Sequence, residues 1–187
     1  MILDGTYSDL VLKLSKEETL DVHKCILSCR SFKFDQLFEK SPKIAEMDLS
    51  EEVKGKTEIF KLLIHFLYSG EVIFPGKADQ VFELLKLSYS YSVKDLVEFC
   101  EDDIVHKLNE NNLLEMIIKL EKSDLISEST LEKCRTLFIK SFPSICNENP
   151  NVEERLTEVP GLMKNLLLHV SSKKKFKRKV TFMNFEV

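Results

Sequence analysis

No glycine-rich phosphate loop, no G-x-S-x-G elbow and no His-Glu-x-x-His helix occurs in this chain of 187 residues. A small enzyme therefore has no supporting motif, and no catalytic residue or cofactor is expected. No apolar run approaches the ~20 residues needed to cross a bilayer, and the N-terminus lacks the charged-then-apolar order of a signal segment. No membrane partner is expected. There are five cysteines, an odd number, which without a signal segment argues for reduced thiols in the cytosol or nucleus. The net charge of −4 gives no electrostatic case for nucleic-acid binding by the whole chain. Glycine and proline are scarce, five of each against thirteen Phe, a balance that favours helices packed on aromatic anchors. With 43% hydrophobic and 31% charged residues the chain has the composition of a globular protein. At this length it buries roughly 70% of its unfolded surface.

What is present begins with an alternation. Leu10, Leu12 and Leu14 are separated by Val11 and Lys13, the period of a half-buried strand. Ser15 to Glu18 is a polar connector, Thr19 to Val22 a second short strand, and His23 opens a helix that ends near Arg30-Ser31. Phe34, Leu37 and Phe38 follow at the spacing of a buried helical stripe. Ile44 to Leu49 reads as a third strand, with Pro42 before it. Thr57 is the expected cap of a helix whose inner face is Ile59, Phe60, Leu63, Phe66 and Leu67, and Gly70 closes it. Val72 to Phe74 is a short extended segment stopped by Pro75-Gly76. Two further helical faces run Val81 to Leu87 and Val93 to Leu108.

Ser8-Asp9 before the first strand, His23-Lys24 at a helix start, Leu27, then Arg30-Ser31-Phe32-Lys33-Phe34 and later Tyr68-Ser69-Gly70 form an ordered set over about a hundred residues. This set resembles the BTB, or POZ, domain. The resemblance implies an α+β fold: a small, mostly three-stranded sheet flanked by helices, over 1–108, followed by a helical extension. Asp9, His23, Arg30, Ser31, Phe34, Tyr68 and Gly70 are its structural motif, with His23 at the sheet–helix junction. Asp9 is expected to be buried near a dimer seam, partnered by His23, Lys24 or Arg30.

Asn109 to Asn112 separates a second helical block, 109–170, whose faces include Leu113, Ile117, Cys134, Phe138 and Phe142. It resembles the three-box, or the start of a BACK domain, of speckle-type POZ adaptors, with Pro160 opening a last apolar run and no MATH domain. From Ser171 a basic tail, 171–187, carries Lys173, Lys174, Lys175, Lys177, Arg178 and Lys179, read either as a solvated tail or as a nuclear-import cluster. Behind it, Val180 to Val187 is β-prone and is expected to seek a sheet edge or another binding partner.

His23, Cys25 and Cys29 tempt a metal reading, but a structural zinc site takes four ligands and no second pair lies near in sequence. The thiols are instead expected in or near the core. The resemblance implies a protein-interaction adaptor joining a cullin scaffold of a ubiquitin ligase to a client. Its partner surface is placed at Phe38, Ile44, Glu46 and the helix beginning at Leu113, in a loop shorter than in well-matched cullin adaptors. The alternative is an assembly or regulatory protein that binds other BTB chains and no cullin. Only Met1 to Tyr7 precede the motif, so a swapped N-terminal helix is not expected and at most a weak homodimer is.

Overall fold

A computed structural model describes residues 5–171 apart from 150, 158, 160 and 169, and the side chains at 148 and 153 lie outside the description. Strand β1, Leu10–Lys13, is the centre of a three-stranded sheet of order β2-β1-β3. β2, Thr19–Val22, runs antiparallel to it, pairing Leu10 with Val22 and Lys13 with Thr19. The turn between them is closed by the N–H groups of Leu14 and Ser15, which both donate to the Glu18 carbonyl. The alternation read from the sequence corresponds to one buried face: Leu10, Leu12 and Leu14 are at most 1% exposed.

β3, Glu46–Asp48, lies parallel on the other edge, pairing Val11 with Glu46 and Lys13 with Asp48. It is shorter than the expected Ile44 to Leu49. Ile44 donates its N–H to Ser41 and so belongs to a turn, while ladder-like bonds extend only to Ala45 and Leu49, outside the regular strand.

Between β2 and β3 stand α1, Lys24–Arg30, and α2, Phe32–Lys40. Ser31 joins them with extended dihedrals (φ −135°, ψ 112°), ending one helix and starting the next. α3, Thr57–Ser69, buries Ile59, Phe60, Leu63, Ile64, Phe66 and Leu67. Its N-cap is Lys56, one residue before the expected Thr57, which is the first helical residue and caps nothing. Gly70 ends the helix at φ 73°, a left-handed conformation that costs a residue with a Cβ about 1–2 kcal/mol. Val72 to Phe74 joins no strand. α4, Ala78–Ser90, and α5, Lys94–Lys107, complete this part. Its aromatic centre is the buried Tyr91, whose ring lies 4.9 Å from Phe34 and 5.5 Å from Phe60, with Lys33 Nζ 4.0 Å over the ring.

The chain divides into two compact units between Ile104 and Val105. In the second, α6, Glu110–Ser123, packs against α7, Glu128–Glu148. Asn109 and Asn112 form a reciprocal capping box at the start of α6, and Ser127 accepts the Thr130 N–H at the start of α7. α8, Val152–Thr157, and helical residues 162–168 close over a core of Leu114, Ile117, Phe138, Ile145, Leu156 and Leu162. An ion pair is buried in the same unit: Arg135 Nε lies 2.6 Å from Glu121 Oε1, with both side chains under a tenth exposed.

Candidate functional site

Asp9 sits just before β1 and its Oδ1 accepts the Lys24 N–H at 2.8 Å. An orphan donor of the first turn of α1 is thereby satisfied, work that the N-cap residue His23 does not do with its own side chain. The expectation of a buried Asp9 is corrected: it is exposed, and a backbone amide is its partner. Lys24 Nζ turns elsewhere, donating to the Pro42 carbonyl.

His23 is held three times. Its backbone N–H donates to Tyr68 Oη at 2.8 Å, Nδ1 lies 2.9 Å from the same hydroxyl, and Nε2 lies 2.9 Å from the Thr6 carbonyl. A carbonyl only accepts, so the ring proton is on Nε2, and in the neutral ring Nδ1 accepts from Tyr68. One hydroxyl thus receives one bond from His23 and returns another. Burial pushes the Tyr68 phenol above its ordinary value, and the His23 amide partly offsets this. The end of α3 and the start of α1 are fastened together by these bonds.

Arg30 and Ser31 fasten the other end of α1. Arg30 Nη1 donates to the Phe66 carbonyl at 3.3 Å, near the end of α3. Ser31 Oγ accepts the Phe34 N–H and donates to the Tyr91 carbonyl at 2.6 Å. Tyr91 is the residue that sequence reasoning passed over. Its signal is faint, an aromatic just after a helical run, and only the fold brings it between Phe34 and Phe60. Arg30, Phe66 and Gly70 also line a cleft of about 670 Å³ with Lys94, Glu98 and Phe99. Phe99 is 48% exposed, with Arg30, Lys94, Asp95 and Glu98 around it.

The residues expected to form a partner surface are not presented alike. Ile44 is half-buried and Glu46 exposed, and Glu46 pairs with Lys13 of β1 across the parallel register. Phe38 is 8% exposed and stacked on Phe34 with centroids 5.7 Å apart, so it is a core residue of α2. Leu113 is 2% exposed in the core of the second unit. Neither can be touched without unpacking its helix.

Cys25 and Cys29 are exposed, which corrects the expectation of core thiols; Cys100 and Cys134 are the buried ones. Among the described residues no group of three or more His, Cys, Asp or Glu could hold a metal ion, and no helix is long and apolar enough to cross a membrane. Pro160, the basic cluster Lys173 to Lys179 and the segment Val180 to Val187 lie outside the described residues.

Three comparisons bear on this arrangement. A BTB/POZ domain-containing protein of Arabidopsis thaliana is 29% identical over 134 residues, 60% of this chain and 68% of its own length. TD and POZ domain-containing protein 5 of Mus musculus is 24% identical over 167 residues, 86% of this chain and 46% of its own. The related protein 4 of the mouse is 28% identical over 96 residues, 51% of this chain and 26% of its own. The chain thus spans about two thirds of the plant relative and less than half of either mouse relative. Among solved structures, the BTB domain of zebrafish PATZ1 is similar with a TM-score of 0.43 and 22% identity, over 54% of this chain and 78% of that one. The family description that matches is the BTB/POZ domain, over residues 1–108. That match covers more than half of the 187 residues, and the chain belongs to the BTB/POZ domain family, whose shared domain is a module for protein–protein interaction.

Proposed function

We propose that this chain is a non-enzymatic adaptor whose BTB unit links a cullin scaffold of a ubiquitin ligase to a client protein. The observation that carries the reading is the pair of Ile44, in the turn before β3, and Glu46, the first residue of β3, an apolar side chain half-open to solvent two residues before an exposed carboxylate. An apolar anchor that enters a partner's pocket beside a charge that orients it is the usual economy of a small interface. Phe38 and Leu113, both buried, serve in this reading as supports of α2 and α6 and not as contacts. In this reading the client side falls to the C-terminal helices of the unit beyond Val105 or to the tail. The cluster Lys173 to Lys179 is proposed as a nuclear-import signal, giving a protein shared between cytoplasm and nucleus. A reporter carrying 171–187 that stays evenly distributed through the cell would count against it.

A second reading, an assembly protein that binds BTB chains and no cullin, draws on the shortness of the connector between α2 and β3, which holds only residues 41–45. One experiment separates the two. The purified chain is mixed with a cullin N-terminal domain, or with a second BTB chain, and run on a sizing column. Co-elution with the cullin domain that disappears in the Ile44→Ala, Glu46→Lys double variant, at unchanged melting temperature, supports the adaptor. Co-elution with the BTB chain alone supports the second reading, and a double variant that unfolds removes Ile44 from the surface assignment.

A further inference from the structure

One turn of the second unit is apolar on both of its sides. Within helical residues 162–168, Leu162 and Leu166 are 0% and 7% exposed and face the core, whereas Met163 and Leu167 are 47% and 65% exposed. A helix covered on one side shows polar residues on the other. Here the outer residues, with Phe138, Ile139 and Phe142 of α7 and Leu156 of α8, line a groove of about 260 Å³ built of apolar side chains. Pro143, inside α7, has no N–H to give the Ile139 carbonyl four residues before it, so the helix is loosened where the groove passes. Such a groove on a water-soluble surface calls for an occupant.

We propose that the occupant is the chain's own segment 180–187, with Phe182 and Phe185 as its anchors. Val170 lines the groove, and the segment begins ten residues further on. From Val170 to Phe182 is twelve residues, up to ~40 Å when extended. The groove is therefore within reach, at an effective concentration on the order of millimolar. The intervening residues strengthen the assignment electrostatically. Six of the 27 basic residues and one of the 31 acidic ones lie in 172–187, so the remainder carries 21 against 30, a net charge of −9. The cationic spacer 171–179, with six basic and no acidic residues, is drawn back onto such a body and repelled by its own kind. In an extended segment Met183, Phe185 and Val187 share one side and Val180 and Phe182 the other, so apolar groups meet the groove in either orientation.

Hydrogen exchange read by mass spectrometry on the full chain tests this. Amides 181–187 are expected to exchange about tenfold more slowly in the parent than in the Phe182→Asp, Phe185→Asp variant. Leu167→Asp, at an exposed position, is expected to release them equally. If Leu167→Asp unfolds its unit, the tail variant decides alone: peptides covering 138–142 must exchange faster in it than in the parent. Free-peptide exchange rates for 181–187 in the parent overturn the proposal, as does protection indifferent to Leu167→Asp in a folded variant. Protection that is lost on dilution, together with a dimer that dissociates by light scattering, assigns the occupant to a second copy and overturns it too.

Discussion

Arg30 Nη1 lies 3.0 Å from the place a Cβ would occupy on Gly70, closer than side chains normally approach. The same nitrogen donates to the Phe66 carbonyl, which also receives the Gly70 N–H at 2.8 Å. The last turn of α3 is therefore closed by its own C-cap and by a side chain from α1; glycine is required there for its φ, and a Cβ would also press on the end of the Arg30 side chain. Gly70→Ala is expected to cost about 1–2 kcal/mol from the left-handed backbone alone, and somewhat more as the guanidinium is displaced. Melting temperatures check it. In an Arg30→Ala background the same change should cost less, because the displaced group is gone, and the two losses should not add.

Ser31 has one hydroxyl with two tasks, capping α2 and donating to Tyr91. Ser31→Ala removes both and leaves the Tyr91 carbonyl without that donor at a site where Ser31 is 1% exposed. A loss of about 1–2 kcal/mol is expected, read as a lower urea midpoint at unchanged slope.

Glu83 on α4 is a pH sensor of stability. Burial works to raise its carboxyl, but the hydrogen bonds and charges of Lys56 and Lys86 outweigh it and bring it below the ordinary 4.5. The folded state thus gives up this proton more readily than the unfolded one. The stabilisation is complete above about pH 4.5 and is lost as pH falls through the lower folded value, where the unfolded chain takes up the proton first. Glu83→Gln should be less stable than the parent at pH 7, and the gap in urea midpoints should close on acidification below pH 4.5. A gap that widens instead would refute the sign.

Arg135 and Glu121 bury opposite charges against each other, with Glu128 bonding Arg135 Nη1 at 2.5 Å and Asn165 donating to Glu121 Oε2 at 3.3 Å. Burial disfavours the Arg135 cation, yet the two carboxylates leave it held above its ordinary value. Arg135→Met strands a carboxylate in the second unit and should cost about 3–5 kcal/mol. The double variant Arg135→Met, Glu121→Leu should recover most of that loss, because two apolar groups of similar size need no partner. Circular dichroism melts of the three proteins distinguish the outcomes.

Much of this fold is legible in the chain because it depends on local periodicity. The two-residue rhythm of Leu10 to Leu14 and the helical spacing of Ile59 to Leu67 decide which side of each element is buried, whatever it meets. Gly70 is readable for the same reason, since a helix end that turns left-handed selects glycine by backbone sterics alone. Family motifs carry the reading further: Asp9, His23, Arg30 and Tyr68 are visible as an ordered set, although nothing local says which atom binds which.

The rest belongs to tertiary structure. Asp9 caps α1 from outside that helix, across fourteen intervening residues that the hairpin folds back. A backbone amide became its partner because the first turn of any helix offers unpaired donors and water leaves the carboxylate free to reach one. Phe38 and Ile44 illustrate the same limit. Both are apolar residues near the end of an amphipathic run, and a stripe does not reveal which member lies deepest; packing on Phe34 buried the first and the turn before β3 left the second half-open. Tyr91 became the aromatic centre only because α2 and α3 converge on it. Period and backbone sterics act over a few residues and are written in the sequence, whereas solvent exposure and the identity of a partner depend on what the rest of the chain brings alongside.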